Sequence, residues 1–108
     1  LQRALTFSEG FIFMIFYTYV IESEEGFRYT GHTSDLERRL IEHNTQLCKS
    51  TKRGNNWRYI YTKEFPTRSE AMKHEKYLKS SAGRRYLNRY FEKELSRGGV
   101  RPDIIGTE

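Results

Sequence analysis

The sequence has little of what defines several protein classes. Its 108 residues contain one cysteine, Cys48, so no internal disulfide can form. That excludes the disulfide-stapled secreted miniproteins and indicates an intracellular, cytoplasmic protein. The longest apolar run, Gly10–Tyr17, is shorter than the roughly 20 residues of a membrane-spanning helix. No small-residue cleavage pattern follows it, so we interpret this run as an aromatic lead-in to a strand.

Basic and aromatic residues are abundant instead. The chain carries 19 Lys and Arg against 14 Asp and Glu, with 8 Tyr, 7 Phe and one Trp. A chain of this length forms one domain with a small core, which the aromatic residues help to fill. Between His43 and Lys63 there is no acidic residue, although five of the positions 49–63 are basic. Such a one-signed segment favours contact with a polyanion.

Three segments rich in β-branched and aromatic residues have the period-2 pattern of strands, and the first of them is apolar on both faces. A short polar hairpin, Glu22–Gly26, joins the first two. If Glu22 lies opposite Gly26, counting back places Tyr19 opposite Tyr29. The strands are predicted over Ile15–Ile21, Phe27–Gly31 and Trp57–Lys63.

Helix-start signals precede two of the three predicted helices. Ser34 with Glu37, and Thr67 with Glu70, have the spacing of capping boxes. Ser81–Gly83 is a predicted break before the basic third helix. The helices are predicted over 36–43, from the Thr67–Glu70 capping box to about 80, and over 84 to about 95.

The order strand, strand, helix, strand, helix, helix predicts an α+β domain. Because a short hairpin joins antiparallel strands, the sheet is small and mainly antiparallel. We assign residues 14–96 to this domain and 97–108 to a flexible tail. Residues 1–13 are an N-terminal extension, which is upstream sequence, an expression remnant or an extra strand.

Few side chains stand out as reactive. Arg39 and His43 are four residues apart, so they share one helix face. Glu75 interrupts an apolar helix face, where a carboxylate is costly to bury, so it either pairs with a cation or holds a metal. The remaining histidines and Cys48 lack zinc-site spacing, and each tyrosine taken alone is ordinary strand packing.

Together, five short motifs resemble the GIY-YIG nuclease superfamily, in particular its small single-domain bacterial branch related to the Slx-type endonuclease catalytic domain. The likeness spans about residues 15–87. The motifs are Tyr17-Thr18-Tyr19, Tyr29-Thr30-Gly31, Asp35-Leu36-Glu37-Arg38-Arg39, His43-Asn44 and Ser69-Glu70-Ala71-Met72-Lys73-His74-Glu75-Lys76-Tyr77-Leu78-Lys79. The departures are Tyr17 for glycine, Thr30 for Ile or Val, and His32 where the branch prefers Tyr.

The resemblance implies a three-stranded antiparallel sheet flanked by about three helices. It also implies a catalytic set of Tyr19, Tyr29, Arg39, His43 and Glu75. Glu75 would hold one divalent ion, Mg²⁺ or Mn²⁺, and either tyrosine is a candidate general base with His43 relaying its proton. The activity expected is metal-dependent hydrolysis of DNA phosphodiester bonds, on single-stranded or branched DNA, in a DNA repair setting.

Basic residues and one tryptophan are the expected DNA contacts. Trp57 either stacks on unpaired bases or is buried in the core. A protein partner that supplies specificity is possible, and the chain is expected as a monomer or weak dimer. Alternatives to a nuclease are a catalytically silent nucleic-acid-binding module and a small basic RNA-associated protein. The expected contacts are Lys49, Lys52, Arg53, Trp57, Arg58, Lys79, Arg84 and Arg85.

Overall fold

The computed structural model describes residues 5–8 and 11–96, and side chains for residues 14–95. The predicted tail, 97–108, therefore lies outside the described residues. No helix within the described residues has the length and apolarity needed to cross a membrane. The strands are β1 (Leu5–Ser8), β2 (Phe11–Met14), β3 (Phe16–Glu22), β4 (Arg28–Thr33) and β5 (Arg58–Phe65); the helices are α1 (Leu36–Asn44), α2 (Arg68–Leu78) and α3 (Ser81–Ser96), with a 3₁₀ turn at Lys49–Thr51.

The main sheet has three antiparallel strands in the order β4-β3-β5. This confirms the predicted α+β class and three-stranded antiparallel sheet. Within the predicted N-terminal extension, β1 and β2 pair with each other in a separate two-stranded sheet. In this sheet β3 is the central strand and β4 is an edge strand. Residues of β4 therefore border both faces of the sheet and its open edge.

The two faces of the sheet bury different clusters. Tyr19 and Ile21 of β3 pack with Leu36 of α1 and with Trp57, all at most 5% exposed. Val20, on the opposite face, packs with Leu78 of α2. Ile60, Tyr61, Leu87 and Phe91 complete that second cluster. The alternation of side chains along β3 thus divides the core into an α1 face and an α2/α3 face.

The register between β3 and β4 differs from the prediction by two residues. Tyr19 pairs with Gly31, and Tyr29 pairs with Ile21, so the predicted pairing of Tyr19 with Tyr29 is wrong. The connection is longer than assumed, because Glu22 pairs with Arg28 and the five residues between them form the loop. A glycine therefore lies beside Tyr19 in the neighbouring strand.

The helix starts were predicted with mixed success. Asp35, not Ser34, caps α1, because its carboxylate accepts the Arg38 amide. Thr67 caps α2 as predicted, accepting the Glu70 amide. The predicted break at 81–83 is wrong, since α3 already begins at Ser81. Gly83 fits tightly against the backbone at the end of α2, so the glycine there serves close helix packing.

Candidate active site

A hydrogen-bonded group of side chains surrounds the hydroxyl of Tyr19 on the α1 face. The Tyr19 side chain is fully buried, with 0% exposed. Its Oη accepts a hydrogen bond from Arg39 Nε at 3.2 Å and lies 2.8 Å from His43 Nε2. Arg39 and His43 are one turn apart on α1, as their spacing predicted, so one helix face delivers both to the same oxygen.

The far side of His43 is bound by Thr51 in the 3₁₀ turn. His43 Nδ1 lies 2.9 Å from Thr51 Oγ1, and that hydroxyl donates to the carbonyl of Cys48 at 3.3 Å. With its own proton committed, Thr51 Oγ1 accepts from His43, which assigns the proton of the neutral ring to Nδ1. Nε2 is then an acceptor, so Tyr19 donates its phenolic proton to it. The hydrogen bonds run from Arg39 through Tyr19 and His43 to Thr51.

Burial sets the protonation states in this group. Burial, with Arg39 nearby, lowers the pKa of His43 to about 4, so its ring is neutral at pH 7. Burial also raises the pKa of Tyr19 well above 10, despite the opposing hydrogen bond from Arg39. Burial alone would lower the pKa of Arg39, but hydrogen bonds to Tyr19 and Glu42 outweigh it, so the pKa lies above its usual value. The resting site thus holds a protonated phenol, a neutral imidazole and a guanidinium.

Because Gly31 has no side chain, the Tyr19 ring can pack closely beside β4. A Cβ at position 31 would stand 2.7 Å from Tyr19 Oη and 3.0 Å from the ring of Tyr29. Real Cβ atoms do not approach so closely, so a larger residue would displace one of the rings. Tyr29 packs its ring 6.4 Å from that of Tyr19 and 5.1 Å from that of His43. The glycine thereby brings both tyrosines against the same histidine.

Glu75 of α2 lies on the other side of β4, bound by two partners. Its Oε1 is 2.6 Å from His32 Nδ1, and its Oε2 accepts from Lys79 Nζ at 2.7 Å. Burial favours a higher pKa for Glu75, but the hydrogen bonds from Lys79 and His32 outweigh it and keep the pKa below its usual value. Of the two alternatives for this carboxylate, pairing with cationic or polar partners is therefore observed.

The edge strand links Glu75 to the tyrosines. His32 pairs with Thr18 and belongs to the α2/α3 face, whereas Gly31 pairs with Tyr19 on the α1 face. Lys79 bridges the two, because its Nζ contacts Glu75 and also lies 5.9 Å from the centroid of the Tyr29 ring. Glu75 and the Tyr19 group therefore flank the same open edge of the sheet.

Three of the predicted DNA contacts border this site. Cys48, which precedes the 3₁₀ turn, accepts a long contact from Arg39 Nη2 at 3.7 Å, so the turn is held against the α1 face. Lys49 and Lys52 are exposed beside Thr51. Arg53 is exposed as well, with its guanidinium 4.1 Å above the Phe27 ring. The structure thus brings basic side chains next to the hydrogen-bonded group.

Two other predicted contacts lie elsewhere. Trp57 is 4% exposed and donates from Nε1 to the carbonyl of Thr51, so its ring cannot stack on a base and the buried alternative is observed. Arg58 is half-buried 3.9 Å from Glu22, which also accepts from Arg28. Glu22 pairs with Arg58 across the sheet, so this arginine is part of an ion-pair network with Glu22 and Arg28 and not of the basic loop.

The last three predicted contacts follow the end of α2. Lys79 is exposed but bound to Glu75. Arg84 and Arg85 are exposed on the first turns of α3. Arg84 lines a cleft beside Lys79, so one of these arginines points toward the Glu75 side of the site.

Two contributors had no predicted role. Thr51 was not among the predicted site residues, yet it fixes the His43 tautomer. Gly31 was noted only as part of a motif, and its close approach to Tyr19 depends on the strand register. In the sequence, Thr51 is only a small polar residue inside an acid-free loop. Its contact with His43 arises when the chain folds.

The arrangement around Glu75 suits a hard divalent ion that keeps most of its waters. Among the described residues, no group of three His, Cys, Asp or Glu side chains could hold a metal. Mg²⁺ needs only one or two protein carboxylates beside water and phosphate oxygens, and Glu75 is such a carboxylate. Its Oε2 is held by the long, half-exposed side chain of Lys79, which can turn away. These residues therefore fit a metal site with a single protein carboxylate.

Comparisons with known proteins identify the family of this chain. The family model described as the GIY-YIG catalytic domain matches residues 15–93. A UPF0213 protein of Staphylococcus saprophyticus is 36% identical over 72 residues, covering 66% of this chain and 88% of that protein. A UPF0213 protein of Halobacterium salinarum is 39% identical over 64 residues, covering 58% and 83%. The solution NMR structure of a UPF0213 protein from Bacillus halodurans has 31% identity and a TM-score of 0.41, covering 83% of this chain and 92% of that one. The chain belongs to the GIY-YIG catalytic domain family, a nuclease family.

Proposed function

We propose that this protein is a divalent-metal-dependent endonuclease that hydrolyses phosphodiester bonds in DNA, with single-stranded or branched DNA as its substrates. The observation that carries the proposal is the buried Tyr19 hydroxyl, hydrogen-bonded to Arg39 on one side and to a neutral His43 on the other. Because the phenolic proton points to His43, Tyr19 can pass it to the imidazole as it takes a proton from a water, even though burial raises the pKa of the phenol. That property is needed for general base catalysis and not for packing.

Arg39 is the group that would meet the scissile phosphate. Its Nε is bound to Tyr19 and its Nη1 to Glu42 at 2.8 Å, while 28% of the side chain is exposed. A guanidinium fork matches the non-bridging phosphate oxygens in geometry and charge. Turning toward a phosphate would release Tyr19 Oη, so substrate binding exposes the oxygen that is covered in the resting site. Positive charge then lies where negative charge develops, which is usually the largest catalytic effect.

The two tyrosines differ in what they offer a reacting water. Tyr19 has an acceptor for its proton, His43, but is covered by Arg39. Tyr29 is half-buried, and its hydroxyl makes no hydrogen bond within the described part of the chain. We assign the proton transfer to Tyr19, since it has an acceptor and Arg39 can uncover it. Tyr29 lines the path between Tyr19 and Glu75.

Glu75 would hold the divalent ion, Mg²⁺ or Mn²⁺, through Oε2. When bound, the ion would neutralise phosphate charge and lower the pKa of a coordinated water. The residues of this chain prepare for it in two ways. His32 holds Glu75 by the other oxygen and so fixes the carboxylate plane. Lys79 pairs with Oε2 in the resting site and would move to the phosphate, so this partly buried carboxylate stays paired until the ion arrives.

Affinity for DNA would come from the exposed basic residues that border the site. Lys49, Lys52 and Arg53 lie beside the Thr51 turn, and Arg84 and Arg85 lie on α3. Contacts of this kind bind phosphates, so they position a strand without reading its sequence. A site recognised through backbone and shape suits branched or single-stranded DNA.

The test is cleavage of end-labelled oligonucleotides by the purified protein. The panel contains single-stranded, duplex and branched DNA, with Mg²⁺, Mn²⁺ or EDTA. We expect cleavage only with a divalent ion, strongest on single-stranded or branched DNA, and lost in Glu75→Gln. Lys73→Gln, an exposed substitution on the other side of α2, is the control and should cleave like the parent. Binding without cleavage in every metal would contradict the proposal and favour the silent binding module.

A further inference from the structure

A cleft beside the candidate site has no role in the chemistry above. It is open to solvent, has a volume of about 400 Å³, and lies between the edge strand β4 and the helices α2 and α3. That volume is within the range of small-ligand pockets, roughly 300–1,000 Å³. Tyr29 and Lys79 line both the cleft and the site, so a strand that leaves the site at this edge enters the cleft.

The floor of the cleft is apolar and rigid. Val20 from β3, Leu78 from α2 and Leu87 from α3 form it, and they are between 1% and 6% exposed. All three belong to the buried cluster of the α2/α3 face, so the floor is the outer surface of the packed core. Such a floor suits the flat, apolar faces of a nucleobase.

The rim of the cleft is basic. Arg28, Lys79 and Arg84 contribute three cations, and among the described residues that line the cleft none is acidic. Arg28 is held by Glu22 and Lys79 by Glu75, which places their charges. Arg84 is exposed and makes no ion pair or hydrogen bond from its side chain with the part of the chain that is described. The apolar floor matches the base of one nucleotide, and the cations of the rim match its phosphate.

We propose that this cleft holds one unpaired nucleotide of the DNA strand, adjacent to the scissile phosphate. The inference rests on the proposed nuclease function and defines its substrate class. A base within a duplex is stacked and paired, so it cannot enter the cleft. An unpaired base has no pairing to lose, so its entry has a small free-energy cost. Asn88, exposed on the α3 wall, provides an amide that can hydrogen-bond the edge of the base. The cleft therefore makes the enzyme selective for single-stranded or branched DNA.

The test uses 2-aminopurine, a fluorescent adenine analogue, in an oligonucleotide bound in EDTA so that no cleavage occurs. We expect its emission to change when the single strand binds, and not when the same base is paired in a duplex. Asn88→Glu places a carboxylate in the cleft, and Arg84→Gln removes one cation. For each variant, the fold-loss of affinity for single-stranded DNA should be about ten times the fold-loss of affinity for duplex DNA. Lys73→Gln changes the net charge by the same amount outside the cleft and should affect both substrates alike.

Equal losses on single-stranded and duplex DNA for both cleft variants would overturn the inference, as would unchanged emission on tight binding. Thermal unfolding midpoints like that of the parent show that the variants fold, and Asn88 and Arg84 are both exposed helical positions. Because the readout needs no metal, a chain that never cleaves DNA but binds the unpaired base would refute the proposed function alone. Normal cleavage without selective binding would refute the cleft alone.

Discussion

Two tyrosine–histidine pairs lie on opposite faces of the same sheet. On the α1 face, Tyr19 Oη is 2.8 Å from His43 Nε2. On the α2/α3 face, Tyr61 Oη is 2.9 Å from His74 Nε2. Both tyrosines are buried, and burial lowers the pKa of both histidines and raises that of both phenols. As isolated pairs they are nearly the same.

Their neighbours make them different. The Tyr61 hydroxyl also contacts Tyr86 Oη at 3.3 Å, and His74 stacks against Tyr77. That pair ends in aromatic rings. The Tyr19 pair continues to Arg39 and to Thr51, groups that hold a charge and fix a tautomer. A buried tyrosine–histidine contact is thus not itself a sign of catalysis, and what distinguishes the Tyr19 pair under the proposed function is its connection to a partly exposed guanidinium at an open sheet edge.

The largest expected effect is on the guanidinium. Arg39→Lys keeps the charge but removes the fork that reaches Tyr19, Glu42 and the phosphate. We expect the cleavage rate to fall by roughly 10²–10³-fold, the usual loss when one preorganised donor is removed. The rate is measured under single-turnover conditions, with Lys73→Gln as the control substitution outside the site. A rate within threefold of the parent would remove Arg39 from the mechanism.

Next in size is the pH dependence of stability. His43 has a folded pKa of about 4 against an unfolded value near 6.5, so the unfolded chain binds more protons between these pH values. The stability that neutral His43 contributes is therefore present above pH 6.5 and is lost as the pH falls to 4, by about 3 kcal/mol.

Denaturant unfolding of His43→Asn and His74→Asn between pH 4 and 7 tests this. Both variants should show a shallower acid loss than the parent, since burial lowers both pKa values. Cleavage should fall only in His43→Asn. An acid loss in His43→Asn as steep as in the parent would mean that His43 is not buried in its neutral form.

The smallest effect concerns the basic residues. Lys49→Gln with Lys52→Gln removes two exposed charges beside the Thr51 turn. We expect the slope of log binding constant against log salt to decrease by about 2. Lys73→Gln with Lys76→Gln removes the same charge from an exposed surface of α2 that carries Met72, and should leave the slope unchanged. Equal slopes for the two double variants would mean that the turn does not contact DNA.

The sequence allowed the element order, the sheet and the convergence of Arg39 with His43 to be predicted, because periodicity and helical spacing are local properties. The β3–β4 register depends on loop length, and the assumed hairpin was too short by two residues. Trp57 and Arg58 were expected as DNA contacts in a basic segment, with burial the alternative for Trp57, yet Trp57 fills the core and Arg58 pairs with Glu22. Such outcomes depend on tertiary packing, which residue type and spacing do not encode.

Glu75 shows the same limit within the site. Its interruption of an apolar helix face indicated either a paired or a metal-binding carboxylate, and the structure reveals the pairing with His32 and Lys79. His32 appeared in the sequence only as a departure from a motif. Its contact with a glutamate 43 positions away arises because β4 packs beside α2.

The comparison of the two pairs is tested most directly by the single-turnover cleavage rates of Tyr19→Phe and Tyr61→Phe. Each variant loses one buried phenol hydroxyl and its hydrogen bond to histidine, at a similar cost of about 1–2 kcal/mol in stability. We predict that Tyr19→Phe cleaves at least about 100-fold more slowly than the parent. Tyr61→Phe should cleave within about twofold of the parent. Equal rates in the two variants would contradict the assignment of Tyr19 as the general base.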